Sequence, residues 1–236
     1  MKTRQFNKHP GATGRLQVLY EDNHLLVVLK PAGMLVQGDS TGDLTLLELS
    51  KAYIKEKYKK PGNVFLGLVH RLDRPTAGVV VFARTSKAAA RLSEQFRSRK
   101  VRKTYLALVE GTVKDDCGAL THCLWNNREK KRTEVCRPGT AGGREARMEY
   151  RVLRRAGGMT LVEIIPLSGR KHQIRAQFAA VGHPVAGDTK YGATKRPLDQ
   201  NIALAAVKIE FAHPTTGEKL LIEGPEPEWA RKASFP

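Results

Sequence analysis

The chain has no long hydrophobic run, and acidic and aromatic residues are few. Its longest apolar stretches, at 25–29 and 79–83, are five residues long, whereas a membrane-spanning helix needs about 20. No apolar stretch follows the basic residues near Met1, so we expect no signal peptide. Hydrophobic residues still make up 41% of the 236 residues, as in an ordinary globular protein. The sequence therefore excludes a membrane protein and predicts a folded globular one.

Cysteine is also scarce. The three positions, Cys117, Cys123 and Cys136, are odd in number and irregular in spacing. They match neither a secreted disulfide framework nor the paired C-x-x-C of a zinc site. We therefore expect reduced thiols in a cytoplasmic protein, with a redox or metal role as the less favoured alternative.

The shortage of acidic residues leaves a large positive charge. Lysine and arginine number 41 against 23 aspartates and glutamates, which gives a net charge of +18. Such an excess in a folded chain predicts a polyanionic partner, with nucleic acid favoured over an anionic membrane. Aromatic residues are only 6% of the chain, so we expect contacts along a nucleic-acid backbone rather than stacking on many bases.

The positive residues are clustered rather than evenly spread. Residues 1–18 contain basic side chains and no acid, and we predict a flexible arm ahead of the domain. The segment 97–103 also contains no acid, so Lys100, Arg102 and Lys103 are predicted to contact phosphates. Further basic clusters lie at 128–132, 144–155, 170–175 and 190–196.

Apolar patterning and turn signals predict a mixture of strands and helices. Continuous apolar runs or period-two alternation predict strands at 25–30, 65–69, 79–83, 104–109, 148–152 and 207–211. Thr45 and Glu48 have the spacing of a helix capping box, and Ser86 is expected to cap a second helix. Helical spacing recurs over 174–181. We expect one sheet-rich domain over 19–236.

The densest polar segment between apolar strands is HRLDRPTAG at 70–78. A strand, a charged turn, a glycine and a second strand present a reactive group from a rigid base. Asp73 stands between Arg71 and Arg74, whose charges favour its ionised form, as a catalytic nucleophile or base requires. From spacing alone, an aspartate that only ties the turn with hydrogen bonds is an open alternative.

A second polar segment, PLSGRKHQIR at 166–175, continues into a glycine-containing stretch at 182–192. It places basic and amide donors at a predicted helix start, which favours an anion site. A metal site at His70, His172 and His183 would lack the histidine spacing of zinc enzymes. The kinase and zinc-deaminase patterns are incomplete as well. We therefore expect neither a bound metal nor phosphoryl transfer.

These segments resemble the RluA family of RNA pseudouridine synthases. The resemblance rests on 70–78 and on the blocks at 169–175 and 182–192. Supporting blocks lie at Glu21–Gly33, Lys103–Gly111 and His213–Gly217. The blocks occur in the family's order over nearly the whole chain, from Leu19 to Pro225, which distinguishes the match from chance.

The resemblance implies an α+β fold, a single pseudouridine-synthase catalytic domain with a large, bent, mostly antiparallel mixed sheet, flanking helices and a central active-site cleft. It implies that a uridine within RNA is isomerised to pseudouridine without a cofactor. Asp73 would be the catalytic carboxylate, Arg175 its ion-pair partner, and Tyr105 the ring that stacks on the flipped uracil. Whether Asp73 attacks the sugar, adds to the base or removes the ribose 2′ proton stays open. No separate N-terminal RNA-binding module is expected.

Further residues are expected to contact the substrate. Arg71 would fill the space that the flipped base leaves, and Ile174 and Leu204 would form an apolar floor that excludes water. Other expected substrate contacts are His70, Arg74, Thr76, Arg170, His172 and Gln173.

The expected partner is RNA, either ribosomal or transfer RNA or both, bound by a monomer in the cytoplasm. Ala77, Gln177 and Ala205 replace a serine and two histidines that are usual in the family, which affects the expected shape of the RNA groove rather than catalysis. A non-catalytic RNA-binding or ribosome-assembly factor with the same fold is the alternative function. A binder of anionic membranes is a third, because 87–100 is a weak candidate for an amphipathic basic helix.

Overall fold

The computed structural model describes residues 16–40, 42–194 and 201–231. The strands are β1 (Gln17–Glu21), β2 (Leu25–Lys30), β3 (Gly67–Leu68), β4 (Ala77–Ala83), β5 (Arg102–Glu110), β6 (Cys117–Asn127), β7 (Arg132–Cys136), β8 (Arg144–Ala156), β9 (Met159–Pro166), β10 (Leu204–Ala212) and β11 (Lys219–Glu223). The helices are α1 (Leu46–Lys57), α2 (Ser86–Arg97), α3 (Gln173–Ala180) and α4 (Glu228–Arg231), with a 3-10 turn at Thr189–Tyr191. Of the predicted basic arm, residues 1–15 lie outside the described residues, and Gln17 and Val18 already belong to β1.

These elements form two compact units and confirm the predicted α+β class. Among the described residues, unit 1 comprises those up to Val101 together with Lys208–Gly224, and unit 2 comprises those within Arg102–Val207 together with 225–231. The bounds of the catalytic domain, 19–236, stay a prediction. Over the described parts of the chain, no helix has the length and apolar character to cross a membrane.

Unit 1 is built on two apolar strands. β2 pairs with β1 on one side and with β4 on the other, both antiparallel, with Lys30 opposite Gly78. Nearly every residue of β2 and β4 is buried, which is why these strands are continuously apolar rather than alternating. Helix α2 packs on them through Leu92, and the antiparallel pair β10 and β11 contributes Ile209 and Ile222 to the same core.

Helix starts in unit 1 follow local side-chain chemistry. The capping box is confirmed: Glu48 N–H donates to Thr45 Oγ1 at 3.2 Å, and Thr45 N–H donates to Glu48 Oε2 at 2.9 Å. The cap predicted at Ser86 is wrong by one residue, because Thr85 has the extended backbone of an N-cap and its hydroxyl accepts Ala88 N–H at 3.1 Å.

The strand predicted at 65–69 is also shorter than expected. Only Gly67–Leu68 pairs with β4. Phe65 is 52% exposed, so the apolar run does not lie entirely in the core. The apolar run at 65–69 therefore predicted a longer strand than the two residues that pair with β4.

Unit 2 is an antiparallel sheet in the order β5-β9-β8-β6-β7. The predicted alternation in β8 is confirmed, since Met148 is buried while Arg147 and Glu149 are exposed. Helix α3 contributes Ile174 and Phe178 to an apolar cluster with residues of β5 and β9. This sheet and helix carry the second polar segment of the sequence.

Candidate active site

Asp73 lies in the connection between β3 and β4, just before the chain enters the sheet. Thr76 N–H donates to the Asp73 carbonyl at 3.0 Å, and Gly33 N–H donates to the Arg74 carbonyl at 2.9 Å. Gly78 follows in β4 with φ of 129°, a conformation that other residues rarely adopt. Asp73 is half-buried. Unit 1 therefore presents this carboxylate from a turn whose backbone is fixed by neighbouring segments.

A buried lysine supports the turn, and no role was predicted for it. Lys30 is 0% exposed, and its Nζ donates to the carbonyls of Pro31, Met34 and Arg74 at 2.8, 2.7 and 2.9 Å. Burial lowers the pKa of Lys30 to about 7, and the Asp73 carboxylate opposes that shift. Three acceptors match the three protons of an ammonium group. The sequence signal was a lysine ending the otherwise apolar strand LLVVLK.

Two predicted substrate residues of the segment 70–78, His70 and Thr76, make hydrogen bonds within unit 1. His70 accepts Val81 N–H through Nε2 at 3.0 Å, and its ring stacks on Phe96 with centroids 4.8 Å apart. The bond at Nε2 places the proton of a neutral imidazole on Nδ1. Thr76 is 3% exposed and closes the turn on Asp73 through its N–H. Their contacts with a substrate stay predictions.

The arginines of the segment differ in their surroundings. Arg71 is exposed, as the predicted filling of a vacated base position requires. Arg74 is also exposed, but its Nη2 pairs with Asp43 at 2.7 Å and its Nε donates to the Gly33 carbonyl at 3.0 Å. Arg74 therefore joins the Asp73 turn to the segment around residues 33–43.

One arginine of the basic segment 97–103 has an acidic partner outside the segment. Arg97 forms an ion pair with Glu94, one turn earlier on α2. Lys100 and Arg102 are exposed. Their exposure is compatible with phosphate contact, which stays a prediction.

The loop before α3 in unit 2 is fixed by Gln173. Its Oε1 accepts from the Ser168 hydroxyl at 2.8 Å and from Arg170 N–H at 3.1 Å, and Gln173 is 5% exposed. Lys103 lies beside this loop, since a Cβ at Gly169 would be 3.9 Å from its Nζ. Burial lowers the pKa of Lys103. The fold thus groups three predicted substrate residues, Lys103, Arg170 and Gln173.

Tyr105 lies next to the predicted apolar floor. On β5 it is opposite Ile164 of β9, and its half-buried ring packs against the cluster that contains Ile174 and Leu204. The structure therefore packs the predicted stacking residue, Tyr105, against the cluster that contains the two predicted floor residues, Ile174 and Leu204. Their roles toward a base stay predictions.

Arg175 is a buried residue of α3 with a carboxylate partner in unit 2. Its Nε and Nη2 donate to Asp188 Oδ2 and Oδ1 at 2.6 and 2.8 Å, and the two side chains are 5% and 1% exposed. Its Cζ lies 5.0 Å from the centroid of the Tyr191 ring. The Tyr191 hydroxyl accepts Thr133 N–H at 2.9 Å and lies 2.9 Å from His172 Nδ1.

Asp188 lies in the sequence block at 182–192, and no role was predicted for it. The block GD-x-x-YG at 187–192 supplies both the carboxylate and the ring that hold Arg175. The predicted pairing of Arg175 with Asp73 stays a prediction. His172, the residue before α3, has φ of 51° and no side-chain cap bond, and its contact with a substrate stays a prediction as well.

Two of the three departures from the family pattern, Gln177 and Ala205, lie in buried positions. Gln177 is 0% exposed, and its Nε2 donates to the carbonyls of Leu120 and Ala146 at 3.0 and 3.1 Å. Ala205 is 2% exposed in β10, and Ala77 begins β4. Gln177 therefore links α3 to β6 and β8. Within the described residues, no group of three or more His, Cys, Asp or Glu is placed to hold a metal.

The comparisons with known proteins identify the family. A family model described as RNA pseudouridylate synthase matches residues 24–180, a stretch that contains both the Asp73 turn and Arg175. The chain belongs to this family. The resemblance found in the blocks at 70–78 and 169–175 is thereby confirmed.

Curated relatives cover most of this chain. An "Uncharacterized RNA pseudouridine synthase" of Aquifex aeolicus (strain VF5) is 38% identical over 227 residues, 90% of this chain and 70% of the relative. A "Ribosomal large subunit pseudouridine synthase C" of Yersinia pestis is 36% identical over 216 residues, 88% of this chain and 65% of the relative. That of Escherichia coli (strain K12) is 35% identical over 225 residues, 91% and 68%. The chain thus spans about two thirds of the length of these relatives.

Solved structures show the same fold. Human RNA Pseudouridylate Synthase Domain Containing 1 has a TM-score of 0.73 at 28% identity, covering 93% of this chain and 87% of that one. Human RNA Pseudouridylate Synthase Domain Containing 4 has a TM-score of 0.75 at 24% identity, covering 90% and 89%. The latter likeness concerns the fold alone.

Proposed function

We propose that this protein isomerises uridines to pseudouridine in RNA, with large-subunit ribosomal RNA as its substrate. Family membership supports the reaction, and the names of the Yersinia pestis and Escherichia coli relatives support the substrate. Transfer RNA is the second candidate substrate. The protein acts as a monomer in the cytoplasm.

The observation that carries the proposal is the Asp73 turn. Its backbone is fixed by hydrogen bonds from Thr76 and Gly33, and the buried Lys30 amine lies among the carbonyls beneath it. A carboxylate on such a fixed turn keeps its position while the substrate changes geometry, which lowers the entropic part of the activation barrier. Its charge lets Asp73 act on the sugar, on the base or on the ribose 2′ proton.

The reaction rearranges bonds within one nucleotide. The bond from the uracil nitrogen to ribose breaks, the detached uracil turns over, and a carbon of the base bonds to the same ribose carbon. A proton leaves that carbon and the freed nitrogen gains one, so the composition of the RNA is unchanged. No oxidant, reductant or water is consumed.

Tyr105, Arg175 and Arg71 are the residues proposed to act on the flipped base. The Tyr105 ring, supported from one side by the cluster of Ile174 and Leu204, stacks on the uracil. Arg175, held by Asp188, supplies a positive charge of fixed orientation. Extruding a base costs a few kcal/mol, and Arg71 offsets part of this cost by occupying the space left in the RNA.

Replacing the carboxylate of Asp73 with an amide tests the reaction. Asp73→Asn is expected to abolish tritium release from RNA labelled at carbon 5 of uridine, while RNA binding in a filter assay is retained. Asp116→Asn, at a carboxylate that is 85% exposed, is the matched control and should keep full activity. Activity in Asp73→Asn would refute the assignment.

A cellular experiment separates the enzyme from a non-catalytic factor and identifies the RNA. Pseudouridines are mapped in total RNA with and without the gene, and the missing sites should lie in large-subunit ribosomal RNA. If the missing sites lie only in transfer RNA, the substrate is transfer RNA instead. If the Lys100, Arg102 and Lys103 triple mutant loses function in cells while Asp73→Asn keeps it, the protein is an RNA-binding factor instead.

A further inference from the structure

The cysteines take no part in the proposed reaction, yet the fold brings two of them together. Cys123 on β6 and Cys136 on β7 are directly opposite in the antiparallel register, and their Sγ atoms are 3.0 Å apart. Cys117, at the start of β6, is opposite Arg151 of β8 and is exposed. Strand pairing therefore creates a pair of thiols that the irregular spacing in sequence does not reveal.

The backbone under this pair already has the spacing of a disulfide. Directly opposed residues of antiparallel strands have Cα atoms about 4.5–5.5 Å apart, inside the range of about 4.4–6.8 Å that disulfides span. Their side chains project from the same face of the sheet. Bond formation therefore needs only side-chain rotation that brings the Sγ atoms of Cys123 and Cys136 from 3.0 Å to about 2.05 Å.

A turn encloses the two sulfur atoms on one side. A Cβ at Gly143 would lie 2.7 Å from Cys123 Sγ and 2.9 Å from Cys136 Sγ, so the thiols occupy the space that a side chain at this position would need. Gly143 N–H donates to the Thr140 carbonyl at 2.8 Å and closes the turn. Both cysteines are nevertheless only half-buried, which leaves access for a small oxidant.

We propose that Cys123 and Cys136 are a modification site, a dithiol that hydrogen peroxide converts to an intrachain disulfide. One thiolate attacks a peroxide oxygen and breaks the O–O bond, which gives a sulfenic acid and one water. The second thiol attacks that sulfur, the S–S bond forms and a second water leaves. The two thiols lose two electrons and two protons in total, and the peroxide takes up these electrons and protons to form the two waters. A dithiol reductant reverses the change by exchange.

The disulfide would fasten β7, the last strand of the sheet in unit 2. Thr133 on β7 donates its N–H to the Tyr191 hydroxyl, and the Tyr191 ring packs against Arg175. Closing a covalent loop removes conformations in which β7 has separated from β6. We expect amide exchange at Glu134, whose N–H faces β6 because that of Thr133 faces Tyr191, to slow by at least about tenfold in the oxidised protein.

The test is thiol mapping on the full chain. Reduced protein is treated with hydrogen peroxide, the remaining thiols are alkylated, and peptides are analysed by mass spectrometry without reductant. We expect a peptide that joins Cys123 to Cys136 with the loss of two hydrogens, alkylated Cys117, and a return to three alkylated thiols after dithiothreitol. Alkylation of both Cys123 and Cys136 after peroxide, or a disulfide through Cys117 or between chains, would overturn the proposal.

Two variants serve as matched controls. Cys117→Ser should form the disulfide as the unchanged protein does, and Cys136→Ser should not. Because the cross-linked peptide of the unchanged protein decides the matter, a folding defect in Cys136→Ser would not obscure it. The readout requires no RNA, so a failure here and a failure of the proposed function are distinguishable.

Discussion

Breaking the ion pair between Arg175 and Asp188 should destabilise the protein strongly. In Asp188→Asn the side chain keeps its size but loses its charge, and its amide group cannot accept one of the two hydrogen bonds at 2.6 and 2.8 Å. The two side chains are 5% and 1% exposed, so water cannot replace the lost partner. Removing one member of a buried pair costs about 3–5 kcal/mol.

The assay is unfolding in urea and by heat, followed by circular dichroism. At about 2–4 °C per kcal/mol for a chain of this size, the expected fall in Tm is roughly 6–20 °C. The matched control is Glu223→Gln, which removes a carboxylate 2.7 Å from Lys208 in a pair whose side chains are 44% and 45% exposed. An exposed pair contributes about 0–1 kcal/mol, so this variant should melt near the unchanged protein.

A double variant separates stability from catalysis. Replacing both members with apolar residues, Arg175→Met with Asp188→Leu, removes the uncompensated charge, and such replacements are often neutral for stability. We expect the double variant to regain most of the stability that Asp188→Asn loses, yet to stay inactive if Arg175 supplies the proposed charge. If Asp188→Asn costs no more than Glu223→Gln, the pair does not stabilise unit 2 and the reasoning is wrong.

Two further predictions follow from buried and hydrogen-bonded charges. Lys30→Met leaves the Pro31 and Met34 carbonyls without the Lys30 donor, while the Arg74 carbonyl keeps the Gly33 N–H. Each carbonyl left unsatisfied costs about 1–3 kcal/mol, so urea unfolding should show a large loss of stability. A change below about 1 kcal/mol would contradict the role of Lys30. Hydrogen bonds from Asn127 and Arg132 lower the pKa of Glu134 to about 2. A carboxylate whose pKa is lowered in the folded protein stabilises the folded state when it is ionised. The contribution of Glu134 is therefore complete above pH 4.5, its ordinary pKa, and is lost as the pH falls through about 2. NMR titration should show this, Glu134→Gln should lack the transition, and a midpoint near 4.5 would refute the assignment.

Features encoded by neighbouring residues were predictable from the sequence. The strand at 25–30 was predicted with its observed bounds, and the capping box of Thr45 and Glu48 formed as expected, because both depend on contacts within a few residues. The cap of α2 was misplaced by one position, since Thr85 and Ser86 both carry hydroxyls and only backbone geometry decides between them. Motif order was sufficient to place Asp73 in its family context.

The sequence by itself determined the chain's class, its excess of positive charge, its family blocks and the strand–turn–strand segment that presents Asp73. Only the tertiary structure decided which charges and thiols meet. Lys30 reaches a carbonyl 44 positions along the chain, and Arg175 and Asp188, like Cys123 and Cys136, are 13 positions apart. Such pairs depend on strand register and on how a helix packs, and a one-residue change in register would turn every side chain of a strand to the other face. No local pattern records that choice.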